Sequence, residues 1–243
     1  MRQPAQRLYA YTKDCNAFRS LFVKAIVIAL VALLPVRSLA QTYTPVVLSG
    51  FNADVICNGP TFAGSTTADV DGGNYFFLDQ SFTAFGTPIY YLPSSGTINS
   101  AATPGLVFQL ADASSNNSLR LVAANSSGTL SFASAQSAGI VYVLATSGSG
   151  ISTVNITVNF ADATSQTFTG INIADWYNGT PVVIQGIGRV NGNAQTLDNG
   201  GGSSNPRLYQ FPLALSGANL LKPITGITVT KTNAAGFAQI MGV

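Results

Sequence analysis

The sequence contains no histidine, and all nine of its acidic residues are aspartates. A Ser-His-Asp or Cys-His catalytic arrangement therefore cannot be assembled, and neither can a zinc site that depends on imidazole. A glycosidase working with two Asp carboxyls stays formally open, but nothing in the spacing of the aspartates suggests one, and no catalytic activity is expected. Cysteine is nearly absent, with two in the chain. Cys15 lies in the N-terminal segment, which leaves Cys57 without an intrachain partner, so disulfides do not hold this fold together. Its apolar neighbours Val55 and Ile56 favour a buried thiol acting as a small hydrophobe over a reactive one.

Long apolar runs are also missing. The most apolar stretch, Ala25–Leu34 (AIVIALVALL), is bracketed by Lys24 and Arg37 and falls well short of the roughly 20 residues that a membrane span needs. Arg2, Arg7, Lys13, Arg19 and Lys24 precede it, and Ser38-Leu39-Ala40 follows. Residues 1–40 thus read as a secretory signal peptide cleaved between Ala40 and Gln41. No Cys follows the apolar stretch, so lipid attachment there is not expected. The formal charge of +2 belongs to this segment. Beyond it stand Arg120, Arg189, Arg207, Lys222 and Lys231 against eight aspartates, a net charge of −3. With no basic stripe to neutralise phosphates, nucleic acid is not an expected partner. No membrane association is expected after cleavage, and a secreted product, extracellular or at the cell surface, is.

Short β-rich runs make up the rest, separated by Gly, Ser, Asn and Asp; almost nothing has a helical period. Pro45–Leu48, Tyr75–Leu78, Ile89–Leu92, Leu106–Leu110, Ser118–Val122, Val182–Ile187, Leu208–Leu215, Ile224–Thr230 and Phe237–Met241 are among them. The clearest pattern lies in Gly139–Tyr177, read as three consecutive antiparallel strands. Val154, Ile156, Val158 and Phe160 alternate with Asn155, Thr157 and Asn159, as in a strand with one dry and one wet face. Ala161–Thr164 has turn chemistry, and Gln166–Ile173 is the partner strand. The apolar phase slips at Gly170, between Phe168 and Ile171, which predicts a β-bulge. Asn191–Pro206 reads as a long inter-strand loop. The whole predicts an all-β, antiparallel β-sandwich over a single domain, 41–243.

Several motifs, in order, carry a resemblance. Gly50-Phe51-Asn52-Ala53-Asp54 is followed by Ala68-Asp69-Val70-Asp71-Gly72-Gly73 and Ser118-Leu119-Arg120-Leu121, then by Val158-Asn159-Phe160-Ala161-Asp162 and Ala174-Asp175-Trp176. The series resembles the galactose-binding-domain-like jelly-roll modules of secreted bacterial, Bacteroidetes-type proteins that accompany glycosidases. The resemblance implies a two-sheet jelly roll without catalysis of its own, with a carbohydrate-binding or adhesive role toward glycans or cell-surface polysaccharide. No sorting domain of the kind such proteins often carry follows Val243 in this sequence. A structural or spacer module of a longer exported protein is the alternative.

The candidate sugar site is Trp176 with Asp175 and Tyr177, joined by Arg189 and Arg207. An indole can stack on the apolar face of a sugar, and Arg offers paired hydrogen bonds. Against this stand a packing role for Trp176 and solvated rim charges for the arginines. Asp54, Asp69 and Asp71 form a weaker calcium alternative, but Asp before Gly72-Gly73 is an ordinary turn former, so no cofactor is expected. Tyr90 and Tyr91 alternate across a predicted strand, which turns at most one to solvent. The N-x-[ST] sequons at Asn116, Asn125, Asn155 and Asn178 read as chance matches in an Asn/Ser/Thr-rich chain.

Overall fold

The strand Ser152–Phe160 shows why this chain is built of sheets. Its odd-numbered residues Thr153, Asn155, Thr157 and Asn159 are half-exposed, whereas Val154, Ile156, Val158 and Phe160 are buried. β-branched side chains at a period of two suit a pleated surface that is wet on one side only.

The computed structural model describes residues 41–198 and 202–243. The segment read as a signal peptide lies outside the described residues, and no described helix is long and apolar enough to cross a membrane. In chain order the strands are β1 (Leu48–Ser49), β2 (Ile56–Cys57), β3 (Tyr75–Leu78), β4 (Thr97–Asn99), β5 (Val107–Gln109), β6 (Leu119–Leu121), β7 (Ser127–Gln136) and β8 (Ile140–Gly148). They continue as β9 (Ser152–Phe160), β10 (Ser165–Ile173), β11 (Val182–Gln185), β12 (Arg189–Asn191), β13 (Thr196–Asp198), β14 (Arg207–Ala214), β15 (Ile224–Lys231) and β16 (Phe237–Gly242).

An outer sheet has the order β1-β7-β15-β9-β10, and a central sheet the order β11-β14-β8-β16-β6. Both are antiparallel throughout. Between them lies the first core, which includes Leu130, Val143, Val154, Ile156, Val158, Ile227, Val229 and Ile240. The expected bulge is present: β10 pairs with β9 through Phe168, slips, and resumes at Ile171, with Gly170 at φ 69°. The slip keeps Phe168, Ile171 and Ile173 against the first core.

The expectation of two sheets describes only half of the packing. A third sheet, β13-β12-β3-β2, and the hairpin β4-β5 cover the other face of the central sheet. The second core joins Leu144, Val183, Leu208 and Met241 of the central sheet to Phe77, Ile98 and Phe108. Beyond the third sheet, Cys57, Phe76, Leu78, Phe82 and Val190 form a smaller third core with Phe62, Phe85 and Tyr91. β2 and β3 are parallel, an exception to the expected antiparallel pairing. All three cores are drawn from Thr42–Val243, a compact unit of its own. Cys57 is buried and free, and burial pushes its thiol up to about 12, an inert state.

The central position of β8 corrects the reading of three consecutive strands in one sheet. β8 pairs with β14 and β16, not with β9. The turn after Gly148, with Ser149 and Gly150 at positive φ, carries the chain from the central to the outer sheet. Ile89–Leu92 is not a strand either. Pro88 and Pro93 bracket it and cannot donate to a ladder, only Leu92 makes an isolated bridge to Asp79, and Tyr90 and Tyr91 are both half-buried. The predicted loop Asn191–Pro206 holds β13, which closes a hairpin on β12.

Polar side chains on the covered face of the central sheet find partners inside the protein. Gln239 accepts from the Ser118 hydroxyl at 2.8 Å and donates to Val70 O at 2.9 Å. Gln210 accepts from Ser100 and donates to Thr103, both at 2.6 Å. Gly148 lets the layers meet, because a Cβ there would stand 2.5 Å from Val70 O and 2.6 Å from Asp71 Cα. Gly148→Ala is therefore expected to lower the unfolding free energy by about 1–3 kcal/mol through overpacking. Gly217→Ala, where a Cβ meets nothing within 4 Å, should stay within about 0.5 kcal/mol of the parent. Urea unfolding followed by Trp176 fluorescence measures both.

Candidate functional site

Of the sequence-predicted site, Trp176, Tyr177 and Arg189 come together and face one another, whereas the Asp175 and Arg207 side chains are bonded to backbone. After β10 the chain runs beside β8, with Asp175 bridged to Ser147 and the Trp176 N–H donating to Ser147 O at 2.6 Å. The Asp175 carboxylate is consumed by backbone, accepting from Gly150 N–H at 2.7 Å and Tyr177 N–H at 3.0 Å. The Trp176 residue is 3% exposed and its ring stands edge-to-face with Phe77 at 5.4 Å. It packs; it is not a platform for a sugar.

Arg189, on β12, has its guanidinium 3.9 Å from the Tyr75 ring centre, 5.0 Å from that of Tyr177 and 5.3 Å from that of Trp176. Both Nε and Nη2 reach Asp198 Oδ2, at 2.8 and 2.7 Å. Arg207 donates to Ser204 O at 2.7 Å and Gly179 O at 3.0 Å, fastening the loop around the cluster. Tyr75 and Asp198 were not read from the sequence. An aromatic at the start of β3 and an acid nine positions after Arg189 carry no local signal for this meeting. The Tyr177 hydroxyl is buried without a partner among the described residues, and burial raises its pKa.

The aspartates of the calcium alternative do not converge, and among the described residues no three Asp or Cys side chains gather as a metal site. Asp54 is buried against Asn117 (2.6 Å) and the Ile56 N–H (3.2 Å), and burial raises its pKa. Asp69 is paired with Arg120 at 2.6 Å and caps Asn74 N–H, while Asp71 accepts from Gly73 N–H at 2.9 Å. These are the turn-forming roles weighed against a metal.

A second candidate lies elsewhere on the described surface. A cleft of about 640 Å³ lies among the turns that follow β2, β3 and β5 and precede β4, within the size range of ligand pockets. Ile56, Leu92 and Leu110 supply apolar wall, and Asn58, Ser81, Ser94, Ser95, Gln109, Asp112 and Ser114 supply hydrogen-bonding groups. Several of these are held in place. Asp79 Oδ1 accepts from Ser81 N–H at 2.7 Å. Asp112 Oδ1 accepts from the Ser114 hydroxyl and N–H at 2.6 and 2.8 Å, which holds its carboxyl below the usual range. Gln109 donates to Ser95 O at 3.0 Å and accepts from Thr97 at 3.0 Å. In neither carboxylate does Oδ2 have a hydrogen-bonded partner among the described residues. Among the described residues no Lys, Arg or aromatic lines the cleft. These residues escaped the sequence reading because Asp-x-Ser and Pro-Ser-Ser-Gly are common turn sequences.

No family model matches the chain, and comparison with curated proteins and with solved structures found no match.

Two outcomes follow from the Trp176 cluster. Trp176→Ala should cost about 3–5 kcal/mol of stability, read as a lower urea midpoint; an unchanged midpoint would contradict its packing role. The second concerns Tyr209, whose buried hydroxyl donates to Asp175 O and accepts from Gly179 N–H at 2.9 Å. Burial pushes its pKa up to about 12. A folded-state pKa above the unfolded value of about 10 gives stability that is complete below pH 10 and lost as pH rises toward 12. Tyr209→Phe should flatten this alkaline loss by one proton in an unfolding series across that window.

Proposed function

We propose that this is a secreted, non-catalytic module that binds glycans, with the cleft beside Asp79 and Asp112 as its site. The observation that carries the reading is the lining. Hydroxyl, amide and carboxylate groups, held by their own turns, surround a cleft of about 640 Å³ with no cation and no aromatic. Such a surface suits a polyhydroxylated, uncharged ligand held by hydrogen bonds, and its two aspartates without a cation beside them disfavour a phosphate or an acid. The reading of residues 1–40 as a signal peptide supports an extracellular setting. A galactose-binding-like jelly roll agrees with the antiparallel pairing of outer and central sheets, and the third layer is then an elaboration on it.

A structural or spacer role in a longer exported polypeptide is the rival. The burial of Trp176 and the closed Arg189 cluster favour it, since they remove the aromatic platform.

A glycan-array screen of the chain from Gln41, repeated in chelator, separates the two. A hit that survives chelation is expected. Asp112→Ala should weaken it roughly tenfold or more, since a hydrogen bond to a charged group is worth about 1.5–3 kcal/mol, with the thermal midpoint nearly unmoved. A blank array from folded protein would favour the spacer.

A further inference from the structure

The outward face of the outer sheet is an ordered lattice of neutral hydroxyl and amide groups. One row runs across four strands in register, Thr129 opposite Thr228, Thr228 opposite Thr157, and Thr157 opposite Thr167. On one side of it stand Ser131, Gly226, Asn159 and Ser165, with Ser49 continuing the row onto β1. On the other stand Ser127, Thr230 and Asn155, where the Gly170 N–H of the bulge donates to Asn155 at 3.0 Å. Thr153 opposite Asn172 begins a further row. The groups are fixed to one another: Thr129 to Thr228, Thr157 to Thr167, Ser127 to Thr230 and Asn159 to Thr228 are each 2.9 Å apart.

This face differs from an ordinary exposed sheet, which carries Lys and charged partners for solubility and against edge pairing. Across the five strands the one ionisable residue is Lys231. It is fully buried, on the inward side with Ile227 and Val229, donating to Asn233 O at 2.5 Å. No aromatic side chain stands among the rows.

A surface with this repeat fits a solid with a matching repeat. Neighbouring strands lie about 4.8 Å apart, and alternate residues along a strand about 6.8 Å apart, a spacing of the same order as the oxygen repeat on the faces of ice. Threonine is stiff at χ1, and the cross-strand bonds lock its hydroxyl further. Water oxygens docking there meet groups already in place, so little ordering cost remains. Charge also matches. Ice is neutral and made only of O–H donors and acceptors, whereas an ionic side chain would keep its own hydration shell. A crystalline polysaccharide would want aromatic faces to stack on, and this face has none.

We propose that the Thr129–Thr228–Thr157–Thr167 lattice binds ice. The proposal does not depend on the cleft, and its test keeps the two apart. The full exported chain is grown into a slowly freezing ice hemisphere, and single ice crystals are watched in its solution. Uptake into ice and faceted crystals are expected. Thr157→Lys at the lattice centre and Thr167→Lys on its edge strand should each abolish both while keeping the parent's unfolding transition. Ser94→Lys, in the cleft, should change neither. Exclusion of the parent from ice, as for an inert protein, would overturn the proposal. So would retained uptake by either lattice variant with its fold intact, or sedimentation with crystalline polysaccharide without any effect on ice.

Discussion

The structure depends on a sheet that is covered over most of both faces. The central sheet is covered by the first core on one side and the second on the other, so each polar group it buries must be satisfied within the protein or cost about 1–3 kcal/mol. Gln239 and Gln210 are the clearest cases. Each sits in a strand of the central sheet and spends its amide on the covering layer, through Ser118 and Val70 O in one case and Ser100 and Thr103 in the other. These bonds fix how the covering loops lie, and the loops in turn place the turns that wall the cleft. Among the described residues two buried side-chain atoms remain unpaired, the Thr146 and Tyr177 hydroxyls.

The same constraint decides what could be read in the sequence. β9 and β10 have one wet face, so their alternation is visible and even the slip at Gly170 could be placed. β8 has no wet face; IVYVLATSG is buried at nearly every position, and a run without alternation does not reveal which neighbours it takes. That is why it was grouped with β9 and not with β14 and β16. β2, β4, β12 and β13 have two to three residues each, too few to show a period. They exist because the second and third cores support them.

The candidate site was legible in part and for the wrong reason. Trp176, Tyr177 and Arg189 do meet, but what gathers them is burial and mutual pairing; the Arg207 guanidinium is bonded to Ser204 O and Gly179 O instead. The remaining charge is similarly occupied. Arg120 pairs with Asp69, Arg189 with Asp198, and Lys222 with Asp162 at 2.9 Å, while Arg207 is spent on carbonyls and Lys231 is buried. What is left outside these pairs is mostly hydroxyls and amides, the chemistry shared by the cleft and the threonine lattice, to which the cleft adds the carboxylate oxygens of Asp79 and Asp112. No sequence motif announces either, because each is made from side chains that are common in turns and on exposed strands.

The position of β16 bears on how the chain reaches this state. The last strand of the sequence lies between β8 and β6 in the middle layer, and the Val46 N–H donates to Val243 O. Neither flanking core can close around a gap where that strand belongs. Contacts linking the two ends of the sequence are slow to form and offer nothing until the loop between them has closed. The covering layers on both sides are therefore gained together, once Phe237–Gly242 is in place.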